Sequence, residues 1–389
     1  MRNLLNTLLA FFDKKEKFLV VELFSHGSRV SSLTVDAANK KAYLDRLVVS
    51  ESVSMREALS KFRRLPQYKI MVSLPPKLAT TVYSGVSILR DRPRDPIDEA
   101  DLDNLLSQAV WKFFDRYRAT AAKKMGAVDI DVLLTDVRVS QIRLDGHRVV
   151  NPIGFKAGTI EVQMNQTFTT RAAMHELKEA LPIANIVLIT ESGTAGLHVL
   201  SRIHKEEDLV MASIFPGETD FFSSNNGRLA YHDQLAWGSD QLGRVLEREL
   251  AVSAPMARAI MAAAGRGQVS SAVAKKIENI LLDELQELVR GLSSAMKKEH
   301  RLVYLNAFFD LPPVAFSNSL KRKFDGVVRL GKAGLECISE NYQFGLECKE
   351  SVGQYNLFSI AALLVEHTML PNDGLSKIAR KRVRWLSPV

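Results

Sequence analysis

Ser213-Ile-Phe-Pro-Gly-Glu-Thr-Asp-Phe-Phe-Ser223 is the segment whose residue types come nearest to a ligand-holding site. An apolar run, Leu209 to Ala212, leads into it, and Asn-Asn-Gly at 225–227 follows, so it reads as a hairpin whose first turn has been altered. Turns of this kind hold phosphate through converging backbone N–H groups, a task suited to a glycine such as Gly217. Phe215 and Pro216 are unsuited to it: a Phe rarely reaches positive φ, and a proline has no N–H to give. The two cysteines, Cys337 and Cys348, each sit in Gly-Leu-Glu-Cys and have neither disulfide nor metal-ligand spacing. A reduced compartment fits, and no metal site is expected.

The chain that must position this turn has 389 residues, 46% apolar and 25% charged, enough for two or more domains with substantial cores. No apolar run approaches the ~20 residues of a membrane-spanning helix, and no small-residue cleavage site follows the N-terminus. The body is therefore expected in the cytoplasm. A formal charge of +8 admits nucleic acid, an anionic membrane or an acidic partner. Its concentration in one tail and the lack of a recognition motif argue against nucleic acid.

Periodicity predicts strands at 18–24, 30–35 and 42–49, a helix at 54–64 and a strand at 68–74 ended by Pro75-Pro76. A second block has a strand at 86–90, a helix carrying Leu102, Leu105, Leu106, Val110, Phe113, Phe114 and Tyr117 on one side, and two strands across 129–150. The turn Asn151-Pro-Ile-Gly154, the alternating strand "TIEVQMNQTFTT", a helix at 171–180 and a strand at 183–189 follow. The second half repeats the plan: a strand at 209–214, a hairpin, a strand at 229–235, and helices at 240–250, 254–264 and 270–296. Strands at 302–305 and 327–330 and helices near 314–324 and 355–369 close the body. Two halves that each open with strand, hairpin and strand imply duplicated mixed sheets.

From about Phe18 to Met369 this sequence resembles FtsA, the bacterial cell-division actin homologue. The most specific segment is "IRLDGHRVVNPIGFKAGTIEVQMNQTFTT", similar to the end of the inserted subdomain 1C, and "SGVSILRDRPRDPIDEADLDNLLSQA" is similar to its start. "LAWGSDQLGRVLERELAVSAPMARAI" and "LVYLNAFFDLPPVAFSNSLKRKFDGVVRLG" repeat the family's spacing. The implied fold is α/β: an actin-like (ribonuclease H-like) two-lobed ATPase fold with an FtsA-type subdomain 1C and a reduced, helical 2B. The implied divisions are an amphipathic N-terminal helix at 1–17, lobe 1A at 18–83 and 168–206, and subdomain 1C at 84–167. Lobe 2A takes 207–250 and 301–370, a helical 2B-like region 251–300, and a linker with a basic amphipathic helix 371–389.

Nucleotide-binding members of that fold use three glycine-rich turns, and the resemblance aligns each with residues of other types. Glu22, Phe24 and Ser25 match the first. In the second, Ser213 stands for the metal-orienting Asp, and Phe215 and Pro216 for two glycines, with Gly217, Thr219 and Asp220 retained. Ala307 and Phe308 stand for the Gly pair of the third. Phe24, Phe215 and Phe308 are expected to put rings where phosphate or nucleoside would lie, and loss of the Asp removes an anchor for the water shell of Mg²⁺. ATP and Mg²⁺ are thus expected to be lost, leaving a pseudo-ATPase. A register shift that lets Gly27, Gly217 and Asp220 serve would restore binding. Glu191, in "ESGTAG", stands either near the attacking water or on the surface.

After 371–374, "LSKIARKRVRWLSPV" puts Leu375, Ile378, Ala379, Val383 and Leu386 on one helical face with Trp385 beside it, and Lys377, Arg380, Lys381, Arg382 and Arg384 supply charge. Such a helix suits an anionic membrane interface, and FtsA proteins end in one; a helix packed on the body with a solvated basic face is the alternative. Leu4, Leu5, Leu8, Phe11 and Phe12 make a second candidate anchor. The resemblance implies a scaffold on the inner face of the cytoplasmic membrane that self-associates into actin-like filaments and binds the FtsZ C-terminal peptide. Arg258, Arg266, Lys275 and Lys276 could receive that peptide, although the reduced 2B prevents a residue-by-residue match. The alternatives are a PilM-like scaffold of type IV pilus assembly and a residual ATP-binding actin homologue.

Overall fold

The computed structural model describes residues 15–24, 27–50, 55–62, 64–204, 208–225, 228–295, 302–307, 311–322, 329–348, 355–369 and 374–386, which divide into two compact units. The first unit takes the N-terminal residues to Val20, then Phe24–Ser54 and Gly193–Met369; the second takes Val21–Leu23, Met55–Ser192 and Leu370–Val389. Three strands open the chain: β1 (Glu16–Phe24), β2 (Gly27–Asp36) and β3 (Lys41–Ser50). Phe18 to Val21 are buried in succession, as expected of a strand covered on both faces. β2 and β3 pair antiparallel around a turn in which Asp36 accepts from the Asn39 backbone and side chain.

The second unit follows with α1 (Met55–Ser60), β4 (Lys69–Leu74), β5 (Ala79–Leu89), α2 (Glu99–Met125) and β6 (Val132–Leu144). Then come β7 (His147–Val149), β8 (Thr159–Thr170), α3 (Arg171–Ala180) and β9 (Ile186–Glu191). β4 and β9 pair in parallel, and β5-β8-β6-β7 form an antiparallel four-stranded sheet. Asp98 caps α2, and its apolar stripe, Leu102 through Phe113, covers one face of that sheet over Val86, Val137 and Val162. β5 is one continuous strand through residue 84, where the sequence reading set a domain boundary.

Back in the first unit, α4 (Thr194–Ile203) precedes β10 (Leu209–Ile214), β11 (Thr219–Asn225) and β12 (Arg228–Leu235). Helices α5 (Ser239–Leu250), α6 (Ala254–Gly265) and α7 (Ser271–Ala295) lead to β13 (Leu302–Ala307). A short 3-10 turn and α8 (Asn318–Lys321) occupy the helix expected near 314–324. β14 (Arg329–Lys332), α9 (Leu335–Tyr342), β15 (Gly345–Glu347) and α10 (Phe358–Thr368) complete the unit, and α11 (Gly374–Leu386) returns to the second. Within the first unit β15 joins β3, β2 and β1, and a separate mixed sheet runs β12-β11-β10-β13-β14. Leu242, Leu246, Leu281 and Leu285 of α5 and α7 bury against Val303 and Leu305 of that sheet.

Candidate functional site

The altered turn joins β10 to β11 inside the first unit. Parallel pairing of β10 with β13 sets Ser213 beside Asn306 and Ile214 beside Ala307. Ser213 is buried, and Asn306 Nδ2 donates to its Oγ at 3.5 Å. Asn356 Nδ2 in turn donates to Asn306 Oδ1 at 3.3 Å and to the Ala333 carbonyl at 2.9 Å, while Arg29 donates to the Asn356 carbonyl at 2.9 Å. Where the resemblance calls for a carboxylate that orients hydrated metal, neutral side chains hydrogen-bond to one another.

Several of the turn's backbone groups are committed as well. Phe215 N–H donates to the Glu218 carbonyl at 2.9 Å. Helix N-termini attract anions through their free N–H groups, yet here Ser239 and Asp240, at the start of α5, give theirs to the Phe215 and Pro216 carbonyls, each at 2.9 Å. Gln241 Oε1 takes the Gly238 N–H at 2.9 Å. This close approach requires glycine at 238, because a Cβ there would overlap the Phe215 and Pro216 carbonyl oxygens. Thr219 donates to the Trp237 carbonyl at 2.8 Å and Asp220 accepts from Gln234 at 3.1 Å, so both buried side chains brace the hairpin.

Phe24 and Phe215 meet with ring centroids 5.0 Å apart and planes inclined at 39°. They form one wall of a cavity of about 660 Å³, which Gly27 and Gly217 also line. Of the three rings expected to fill this space, Phe24 and Phe215 pack on each other and line the volume instead of filling it, and Phe308 lies outside the described residues. The case against phosphate rests instead on which N–H groups are already engaged. To the same lining α5 contributes Asp240, Arg244 and Glu247, and α6 contributes Arg258. Charges of both signs beside apolar rings, in a volume typical of small-molecule sites, suit an organic ligand with polar ends. Among the described residues no group of three or more His, Cys, Asp or Glu is placed to hold a metal.

Sequence reasoning brought Phe24, Phe215, Pro216 and Gly217 to one place and named Arg258 for a different role, an acidic peptide, but missed the charged face of α5. Its signal was present: 240, 244 and 247 fall on one helical face, opposite the buried Leu242 and Leu246. Ala307 ends β13, buried, and Glu22 is buried in β1. Ser25 and Phe308 lie outside the described residues. Glu191 is not a surface residue: it is fully buried in the second unit, where its Oε2 accepts the Thr81 N–H at 2.7 Å.

The basic helix is also corrected. In α11 the face predicted to meet lipid is docked on the second unit's sheet: Ala379 is fully buried, and Leu375, Ile378 and Val383 pack on the core under α2 and β6. Ser376 Oγ accepts the Val139 N–H at 3.1 Å, and Arg380 Nε donates to Asp136 Oδ1 at 2.8 Å. Burial alone would raise the Asp136 carboxyl, but Arg138 and Arg380 together hold it below the usual carboxylate range. Lys377 and Lys381 are exposed. The side chains of Arg382, Arg384, Trp385 and Leu386, and all of Leu4, Leu5, Leu8, Phe11 and Phe12, lie outside the described residues.

No protein-family model and no curated protein matches the sequence. Among solved structures, the chain is similar to one of the PilM-PilN type IV pilus biogenesis complex at 13% identity and a TM-score of 0.52, covering 92% of this chain and 100% of that one. It also aligns with a protein described as having an actin-like ATPase fold, from Bacteroides thetaiotaomicron, at 10% identity and a TM-score of 0.40, covering 90% and 96% of the two chains. Similarity extends to the cytoplasmic domain of EpsL, an inner membrane component of the Vibrio cholerae type II secretion system, at 10% identity and a TM-score of 0.35, covering 92% and 97%. The fold is actin-like, as expected. No described helix is long and apolar enough to cross a membrane.

Proposed function

We propose that this protein is a non-hydrolysing actin-like scaffold that works by holding partners, in a membrane-associated assembly of the type IV pilus kind. One observation carries the non-hydrolysing part: the first N–H groups of α5 are given to the Phe215 and Pro216 carbonyls and the Phe215 N–H to the Glu218 carbonyl, with Ser213 in place of the metal-orienting carboxylate. Likeness to a chain of the PilM-PilN complex along nearly its whole length supports the pilus setting over the other contexts. Capture of a short peptide from a membrane partner is the corresponding activity, with self-association into actin-like filaments as its means of assembly.

The second reading is a cell-division scaffold that binds FtsZ and tethers it to an anionic membrane. Asn151-Pro-Ile-Gly154 favours it, a turn in which Asn151 Oδ1 accepts the Ile153 N–H and Gly154 adopts φ +87°. The docked apolar face of α11 opposes it, since that face meets lipid only after leaving the sheet. Pull-down with pilus inner-membrane peptides beside the FtsZ C-terminal peptide separates the two readings. Retention of a pilus peptide and no liposome sedimentation is expected; retention of the FtsZ peptide together with sedimentation that needs residues 375–389 would replace the pilus reading by the division one.

A further inference from the structure

The outer edge of β5 carries backbone groups that the fold leaves open. In the antiparallel ladder with β8, alternate residues of β5 turn their N–H and C=O groups toward β8 and away from it. Three contacts identify the odd-numbered set as the outward one. Ala79 N–H meets the Pro75 carbonyl, Thr81 N–H meets Glu191, and Lys112 Nζ reaches the Ser87 carbonyl at 2.8 Å. Further along, Gly85, Ser87 and Leu89 are exposed, and among the described residues β5 pairs with β8 alone. Among the described residues nothing meets the N–H or C=O of Gly85 and Leu89, or the N–H of Ser87. A strand edge of this kind is a template for an added strand.

The chemistry on either side of the edge selects the occupant. Val86 and Ile88 point to the helix-covered face, so Gly85, Ser87 and Leu89 point to the open face, where Leu89 is 79% exposed. On the covered side, α2 presents Lys112 and, one turn on, Arg116, both exposed; Lys112 is already at Ser87. Four helical residues and two strand residues both span about 6 Å, which sets Arg116 level with Gly85. We infer that β5 binds an extended partner segment in which acidic and apolar residues alternate, its carboxylates facing Lys112 and Arg116 and its apolar side chains facing Leu89. A second copy of this chain is the poorer occupant, because two such edges would bring Lys112 and Arg116 against their own kind.

The inference rests on the scaffold reading and deepens it by giving it a peptide-binding site, and it is read out as exchange at three named residues and not as retention in the pull-down, so either can fail alone. The probe is a capped eight-residue peptide of alternating Glu and Val, with alternating Lys and Val as control, added to the full chain while amide hydrogen exchange is followed. The acidic peptide is expected to slow exchange at Gly85, Ser87 and Leu89 at least fivefold, and the basic peptide to leave it unchanged. The pair Lys112→Glu and Arg116→Glu, both on the surface, should reverse that preference while leaving the circular dichroism spectrum as it was. Equal protection by both peptides, protection by neither, or edge protection that rises with protein concentration alone would overturn the inference, the last by making a second copy the occupant.

Discussion

The β10–β11 turn of the first unit was expected to have lost its ligand and the α11 surface of the second to meet a membrane, and in each the protein's own groups take up binding chemistry in a different manner. At the turn, the groups that would hold phosphate are backbone N–H donors, and α5 and the turn satisfy one another while about 660 Å³ beside them stays open. On α11, the group that would meet lipid is a hydrophobic stripe, and the sheet covers it directly. The difference teaches that open volume and binding capacity are separate properties. A cavity persists where donors have been withdrawn, and a helix with good membrane chemistry is silent while its apolar face is buried.

The largest effect that bears on this contrast is expected at Asp136. Asp136→Ala leaves Arg380 and Arg138 without their buried carboxylate and should destabilise the second unit by about 3 kcal/mol, measured by urea unfolding and by faster amide exchange in α11. Stability unchanged by that substitution would mean that α11 is not held by this ion pair. Next is Gly238→Ala, whose Cβ overlaps the Phe215 and Pro216 carbonyls. It should cost about 2 kcal/mol through overpacking and leave α11 exchange alone, because the strain lies in the other unit.

Phe24→Ala sharpens the separation of volume from donors. It should cost about 1 kcal/mol for the lost ring pair and enlarge the cavity without creating affinity for nucleotide. The smallest effect is a pH dependence. Because the folded Asp136 carboxyl titrates below its unfolded value, its contribution is fully present above about pH 4 and declines as pH falls from there toward the folded value. Protection of the α11 amides, taken relative to the intrinsic exchange rate at each pH, is then expected to fall on acidification before that of the α5 amides. Simultaneous loss of protection in both would erase the contrast.

Much of this was legible because local pattern and tertiary role coincide. The hairpin at 213–235 was read from its apolar run and turn residues, and α2 and α11 from their apolar spacing. The stripe on α11 fixes that the helix needs an apolar neighbour but not whether the neighbour is lipid or sheet; Asp136, 244 residues away, decides it, and no local pattern carries that distance. Helix α4 was hidden by Gly193 and Gly196, which read as a turn. Gly196 is there because a Cβ would press on the Phe358 ring at 2.9 Å, a packing demand from far along the chain. The start of β5 was masked by the prolines at 75 and 76 and the glycine at 85, which punctuate a strand that pairing with β8 sustains.

The central claim, that the first unit no longer holds nucleotide phosphate, is tested most directly by titrating MgATP into the full-length protein and following heat release and thermal midpoint. A site with a dissociation constant of about 10 μM would add about 2.7 kcal/mol of stability at about 1 mM ligand. No saturable heat and no shift in midpoint is the predicted result. Saturable binding in the micromolar range, lost in the Gly238→Ala variant, would contradict it.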